Sequence, residues 1–112
     1  MGAGCWYRKR VEKVYKIYHI MTEFEFDPVK SAINKDKHGI DFVLAQAVWD
    51  DEKLVVTEAR SDTEPRFMAL GMIDGKLWAV FHTLRGTRIR IISVRRARQK
   101  DKEDYDNSDA ES

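Results

Sequence analysis

The sequence predicts an α+β domain: two helices on one face of a four-stranded antiparallel sheet, with a third, C-terminal helix at its edge. Three observations indicate this arrangement. Helix-start signals precede two segments of helical apolar spacing. The dipeptide Asp74-Gly75 separates two strand-like runs, and residues 96–105 are polar and free of glycine and proline. The predicted order of elements is β-α-α-β-β-β-β-α.

The first elements are a short strand and a helix. Alternation over residues 22–26 favours a strand. Asp27 can cap the free amide groups of a helix that has Pro28 at its first position, and Gly39 is a suitable C-terminal stop. The face of this helix expected to be buried holds Val29, Ala32 and Ile33.

A second helix is predicted to start at Asp41, which can cap it. Asp50-Asp51 ends it, because acidic side chains are unfavourable at a helix C terminus. The shared apolar face holds Phe42, Ala45, Val48 and Trp49.

For the rest of the domain the sequence predicts strands followed by the closing helix. Asp74-Gly75 is the strongest short hairpin signal in the chain, and Gly86-Thr87 makes a second turn. The closing helix is expected over residues 96–105. The predicted strands span residues 54–58, 66–73, 76–83 and 88–94.

The length of 112 residues suits one domain with a modest core. We assign residues 22–105 to this domain, residues 1–21 to an N-terminal extension and residues 106–112 to an acidic, disordered tail. Met21 is the expected biological start unless the first twenty residues are an appended extension. The single cysteine, Cys5, cannot form an internal disulfide. No apolar run suits a signal peptide or a membrane span, so the expected location is the cytoplasm.

The net charge of +1 conceals a segregation of charge along the chain. Residues 85–102 carry eight basic residues against one acid, whereas the last ten residues carry five acids and no base. Such asymmetry suggests a surface for a polyanion beside an acidic tail. A solvated charged helix with a frayed end explains the same pattern, and charge alone leaves both readings open.

The first candidate for chemistry is the pair Lys37-His38 at the end of the first helix. Histidine can take or give a proton near neutral pH, and a neighbouring lysine can hold a phosphate. The structural alternative is that basic residues in the last turn simply oppose the helix dipole.

The second candidate is the arginine-rich run over residues 85–98. In an unbroken strand, Arg88 and Arg90 point to one side and Ser93 and Arg95 to the other. All four can serve one site only if a β-bulge near residues 91–92 shifts the phase. Alternatively, Ser93 or Val94 ends the strand and Ser93 helps to cap the closing helix, or the arginines merely protect an edge strand from aggregation.

Other candidates are weaker. Asp50-Asp51-Glu52 could bind a divalent metal, but three adjacent carboxylates on a turn rarely converge on one ion, so neither a metal nor a cofactor is predicted. His19 and His82 have no visible partners, and His82 suits either the core or the surface. Aromatic side chains could stack on bases, although Trp49 and Phe81 fall on predicted core faces.

Two stretches carry a resemblance to a known family. Phe24-Glu25-Phe26-Asp27-Pro28-Val29-Lys30, followed by Asn34, Lys37-His38-Gly39-Ile40 and Phe42, resembles the opening pattern F-E-W-D-P-x-K and N-x-x-K-H-G-V-x-F of the BrnT family. Glu64-Pro65-Arg66-Phe67, Gly71 and residues 88–97 resemble its closing half, R-I-R-I-I-S-A-R-R-A. Phe26 replaces the commoner tryptophan and Val94 the commoner alanine, and residues 22–105 are covered.

The resemblance implies a RelE-like toxin fold and RNA cleavage that lowers translation. It also implies neutralisation by an antitoxin that resembles ribbon–helix–helix DNA-binding proteins. Two toxins and two antitoxins are expected to form a complex that represses its own promoter, with the DNA contacted only through the antitoxin.

The resemblance also suggests roles for individual residues. His38 is expected to be the general acid or base, and Lys37 to neutralise charge beside it. The RNA 2′-hydroxyl would attack the adjacent phosphorus without a metal. Rival interpretations are a non-catalytic RNA- or protein-binding module and an inactive toxin that only binds its antitoxin. The scissile phosphate is assigned to Arg66, Arg90 and Arg95 with Ser93 as a supporting donor, and further RNA contacts to Lys30, Arg88, Arg96 and Arg98.

Overall fold

A computed structural model of the chain describes residues 23–110. The predictions about residues 1–21, including His19, Cys5 and the start at Met21, fall outside these residues. In the described part, no helix is both long enough and apolar enough to cross a membrane. The elements are β1 (Glu23–Glu25), α1 (Pro28–His38), α2 (Phe42–Ala45) with a following 3₁₀ turn (Gln46–Asp50), β2 (Val55–Ala59), β3 (Arg66–Ile73), β4 (Lys76–Arg85), β5 (Arg88–Arg96) and α3 (Gln99–Ala110).

The α+β class is confirmed, but the prediction of a four-stranded antiparallel sheet is wrong. The sheet has five strands in the order β1-β5-β4-β3-β2, and β1 pairs in parallel with β5. Glu23 lies beside Arg88 and Glu25 beside Arg90. Periodicity identifies a strand but does not name its partner, and here the partner lies more than sixty residues further along the chain.

Helix α1 begins and ends as predicted. The Asp27 carboxylate accepts a hydrogen bond from the Val29 N–H at 2.9 Å, and Gly39 adopts a left-handed conformation with φ of 79°. Its predicted inner face is wrong, because Val29 and Ile33 are 65% and 51% exposed.

The buried residues of α1 are instead polar. Ser31 Oγ accepts a hydrogen bond from the Phe42 N–H at 2.9 Å. The Asn34 side chain donates to the Ile40 carbonyl at 2.9 Å and accepts from the Val94 N–H at 3.1 Å. Helix α1 therefore docks through hydrogen bonds to the backbone of its neighbours, which an apolar pattern cannot reveal.

The second helix starts at Asp41 as predicted, since its carboxylate accepts a hydrogen bond from the Leu44 N–H at 2.8 Å. After one α-helical turn it tightens into the 3₁₀ turn, which packs on β3. The contact is close: a Cβ at Gly71 of β3 would lie 2.7 Å from the Val48 carbonyl oxygen. The core beneath this layer contains Ile40, Phe42, Ala45, Val48, Val56, Ala69, Val80, Ile89, Ile91 and Val94.

Both predicted turns are present. Asp74 and Gly75 have φ of 50° and 78°, as a two-residue type I′ hairpin requires. Gly86 has φ of 60°, and β4 and β5 pair up to this turn. Strands β4 and β5 each run two residues further than predicted, to Arg85 and Arg96.

Helix α3 covers one end of the opposite sheet face. Its Tyr105 is buried with Val55, Leu70, Leu77 and Ala79, and the Tyr105 hydroxyl donates to the Asp51 carboxylate. The helix starts at Gln99 because β5 occupies residues up to Arg96, and it continues to Ala110. Residues 106–110, which the sequence pattern assigns to the tail, have helical backbone.

Candidate functional site

A β-bulge in β5 decides which way its arginines point. Phe81 of β4 pairs with Ser93, whereas the next residue, His82, pairs with Ile91. Ile92 is therefore the extra residue, and it shifts the alternation of side chains by one position. This is the bulge that a single site requires. The strand does not end at Ser93, and α3 begins too far along the chain for Ser93 to cap it.

As a result, the two faces of β5 have different chemistry. Ile89, Ile91 and Val94 all enter the core beneath α1 and α2. The other face, here called the open face, is opposite these helices, and α3 covers only one end of it. On β5 the open face carries Arg88, Arg90, Ser93 and Arg95.

The strand register aligns four polar side chains in one row across the open face. Glu25 pairs with Arg90, and Arg90 pairs with Thr83. Arg66 precedes Phe67, the partner of His82, and so occupies the next place in the row after Thr83. Because neighbouring strands are about 4.8 Å apart, the two arginine side chains can reach one ligand across the short threonine.

Arg66 is the least satisfied member of this row. Its Nε is buried and has no hydrogen-bond partner among the described residues. The hydroxyl of the neighbouring Thr83 donates to the Pro65 carbonyl at 2.7 Å. A buried donor without an acceptor is costly, and because Nε is itself buried, a phosphate could contact only the other guanidinium nitrogens of Arg66.

Carboxylates of β1 pair with the two arginines at the start of β5. Arg90 Nη1 lies 2.9 Å from Glu25 Oε2, and Arg88 Nε lies 3.1 Å from Glu23 Oε1. These pairs are partly or largely exposed, and such pairs contribute little to stability. They nevertheless fix where the guanidinium groups lie.

Arg95 is tied to the start of α3. Its Nη1 lies 2.9 Å from Asp101 Oδ2, and its guanidinium lies 5.2 Å from the ring centre of Phe81. Asp101 also accepts a hydrogen bond from the Arg98 N–H at 2.9 Å, which is the reciprocal half of a capping box. Phe81, expected in the core, is instead half-buried on the open face beneath Arg95.

The remaining candidates lie elsewhere. Lys30, Lys37 and His38 are exposed on α1, and no hydrogen bond or ion pair among the described residues joins them to the arginines of the open face. Arg96 points to the helix-covered face, 5.4 Å from the ring centre of Trp78. Arg98 is exposed at the start of α3.

Sequence reasoning missed three acidic residues that partner the candidate arginines: Glu23, Glu25 and Asp101. The first two are signalled by the alternation of Glu23-Phe24-Glu25, which places both carboxylates on one face of a strand. The pattern does not show that β5 lies beside β1, and it is β5 that provides the arginine partners. Asp101 was identifiable as the lone acid in a basic segment, at the third position of the helix it caps.

The two other polar candidates have structural roles. His82 is fully buried between Trp49 and Phe67, and burial lowers its pKa to about 4. The Asp51 carboxylate accepts hydrogen bonds from the Lys53 and Met72 N–H groups and from Tyr105. Within residues 23–110, no group of three histidine, cysteine, aspartate or glutamate side chains is arranged to hold a metal ion.

A comparison with known families adds to this geometry. The family model described as ribonuclease toxin, BrnT, of type II toxin-antitoxin system matches residues 26–101. This chain belongs to the BrnT family. The match covers α1, the sheet from β2 to β5 and the start of α3, so it includes every residue assigned above to proton transfer or to RNA contact. It begins just after β1, and thus excludes Glu23 and Glu25.

Membership in the BrnT family makes the chain a ribonuclease toxin of a type II toxin–antitoxin system, a class whose partner is a protein antitoxin. A search of curated proteins gave no match to the chain.

Proposed function

We propose that this BrnT toxin is a metal-independent endoribonuclease that inhibits translation by cleaving RNA on the open face. The observation that carries the proposal is the bulge at Ile92, which brings Ser93 and Arg95 to the face that carries Arg88 and Arg90. Arg90 lies in one row with Arg66 on this face. Arg88, Arg90 and Arg95 follow one another along β5, and Arg66 lies two strands away from Arg90; this array of guanidinium groups suits a phosphate chain.

The chemistry needs a held phosphate, stabilised charge and proton transfer. Arg66, Arg90 and Arg95 hold the scissile phosphate, since guanidinium forks match phosphate oxygens and stabilise the charge of a pentacoordinate intermediate. The hydroxyl of Ser93, exposed between them, is a supporting donor. The RNA 2′-hydroxyl is the nucleophile, and the product is a cyclic phosphate.

Lys37 and His38 complete the proposed machinery. His38 is the general acid or base and Lys37 neutralises charge beside it. Both side chains are exposed in the last turn of α1, which packs on the sheet face opposite the open face, so the RNA has to pass around the edge of β5 to reach them. Lys30, Arg88, Arg96 and Arg98 contact the flanking phosphates. For Arg96 this requires the RNA to pass around the end of β5.

The protein antitoxin is proposed to be of the ribbon–helix–helix type, in a complex of two toxins and two antitoxins. Promoter DNA is contacted through the antitoxin alone. The toxin acts in the cytoplasm, where translation provides its substrate.

The cellular test is amino-acid incorporation in a bacterium after induction of the full chain without antitoxin. We expect wild type to stop incorporation and His38→Ala, Arg66→Ala and Arg90→Ala to restore it at equal expression. Arg60→Ala, a change to an exposed arginine after β2, should behave as wild type. If no variant restores incorporation, the assignment of the site is wrong. If wild type has no effect although it is folded, a non-catalytic binding module or an inactive toxin is the better interpretation.

The chemical test uses purified full-length protein with RNA, free and ribosome-bound, and with the matching 2′-deoxy substrate. Cleavage in the presence of EDTA, a cyclic phosphate end and resistance of the 2′-deoxy substrate are expected. Loss of cleavage on EDTA addition, restored by a divalent cation, would contradict the metal-independent route.

A further inference from the structure

The proposed function gives no chemical role to the carboxylate of Glu25 on the open face. Its Oε2 accepts the hydrogen bond from Arg90 at 2.9 Å. Its Oε1 lies 3.7 Å from Arg88 Nη1 and accepts no hydrogen bond from the residues that the structure describes. The side chain is 26% exposed, so one carboxylate oxygen is held in place while the other is available to a ligand.

We propose that Glu25 is the general base that removes the proton from the RNA 2′-hydroxyl. The inference rests on the proposed function and assigns to that site a residue outside the segment matched by the family model. Glu25 ends the row in which Arg66 and Arg90 flank Thr83. A phosphate held between these two arginines would lie on the other side of Arg90 from Glu25, so that the Arg90 guanidinium contacts both groups.

Arg90 can bind Glu25 and a phosphate at the same time. A guanidinium group has five N–H donors, and Glu25 uses one of those on Nη1. In RNA the 2′-hydroxyl and the phosphate are attached to adjacent carbons of one ribose. When Arg90 binds the phosphate, the 2′-hydroxyl of the same ribose is therefore held within reach of the Glu25 carboxylate, which is bound to the same guanidinium.

Other described proton acceptors near the row are less suitable. Asp101 is 6% exposed and is bound to both Arg95 and the Arg98 N–H. Glu23 has a side chain 65% exposed at the outer end of β1. His82 is buried on the opposite face of the sheet.

In the proposed reaction, the 2′-oxygen of RNA displaces the 5′-oxygen from phosphorus. The 2′-oxygen attacks phosphorus while its proton passes to Glu25 Oε1. The bond from phosphorus to the 5′-oxygen breaks, and its electron pair stays on that oxygen, which takes a proton from water. The products are a 2′,3′-cyclic phosphate and a 5′-hydroxyl.

Glu25→Gln tests the proposal, because glutamine keeps the size of the side chain and an oxygen for Arg90 but cannot take the proton. Cleavage at saturating RNA should fall by about 10²-fold or more, whereas affinity for the 2′-deoxy substrate should stay within about threefold of wild type. Glu25→Asp, which keeps a carboxylate, should retain more cleavage than Glu25→Gln. The control is Glu103→Gln, the same change at an exposed glutamate on α3 away from the row, which should leave both quantities within about threefold.

Each alternative has a distinct outcome. Cleavage by Glu25→Gln within about threefold of wild type overturns the proposal. Faster cleavage and tighter binding by Glu25→Gln would also overturn the proposal. They would mean that the wild-type carboxylate competes with the phosphate for Arg90. Parallel loss of binding and cleavage makes Glu25 a positioning residue. If wild type cleaves neither free nor ribosome-bound RNA, the proposed function itself fails and the inference fails with it.

Discussion

Asn34 of α1 binds the backbone of β5 at Val94, with its side-chain oxygen 3.1 Å from the Val94 nitrogen. Strand β1 covers the outer edge of β5 only from Arg88 to Arg90. The N–H of Val94 is therefore satisfied by a helix side chain instead of a sixth strand. This contact lies two residues beyond the bulge at Ile92, so it supports the segment that turns Ser93 and Arg95 to the open face.

Asn34→Ala should lower the free energy of unfolding by about 2–4 kcal/mol, because it leaves two buried backbone groups, on Val94 and Ile40, without partners. Denaturant unfolding measures the loss. The matched control is Lys35→Ala, the exposed neighbour on the same helix, whose effect should be within about 0.5 kcal/mol of zero. Equal effects of the two changes would contradict a structural role for Asn34.

Gly71→Ala should destabilise the domain by about 1–3 kcal/mol through overpacking. The added Cβ would lie 2.7 Å from the Val48 carbonyl oxygen and 2.8 Å from Val48 Cγ1, so the 3₁₀ turn must move away from β3. Thermal unfolding of the variant and of Met72→Ala, at the exposed next position, provides the comparison. A Gly71→Ala protein as stable as wild type would show that the turn shifts at no cost.

Asp101→Ala should lower stability by about 2 kcal/mol, since the change removes both a helix cap and the partner of Arg95. We also expect weaker RNA binding, because Arg95 loses the contact that fixes its position. Unfolding and binding of the 2′-deoxy substrate are measured together, with Glu103→Ala as the exposed control on the same helix. Unchanged unfolding in Asp101→Ala would exclude the capping role.

Stability should depend on pH through His82. Burial lowers its pKa from 6.5 to about 4 in the folded state, so the unfolded chain binds the proton more readily between these values. The contribution of His82 to stability is therefore complete above pH 6.5. It declines as the pH falls towards 4, by up to about 3 kcal/mol.

The measurement is denaturant unfolding of wild type and His82→Gln from pH 7 to pH 4. Carboxylates titrate in both proteins, so the difference between the two curves isolates the histidine. We expect this difference to shrink as the pH falls. A constant difference over the range would mean that His82 does not titrate in this way.

Local signals in the sequence determined the parts of the fold that depend on neighbouring residues. Asp27, Asp41 and Gly39 mark helix ends, and Asp74-Gly75 forms the predicted hairpin, because caps and tight turns are set by a few adjacent side chains. The arginine-rich run over residues 85–98 was likewise visible as a candidate binding strand.

Only the tertiary structure decided which of these side chains meet. From the sequence, the side chains of β5 could serve one site only if a bulge occurred near residues 91–92. The pairing of Phe81 with Ser93 and of His82 with Ile91 shows that this bulge is present. The docking of α1 through Ser31 and Asn34, and of β1 beside β5, joins residues far apart in the chain. Long-range pairing and buried hydrogen bonds follow from how whole elements pack, so the Glu25–Arg90 pair and the common face of the arginines emerge only when the sheet is assembled.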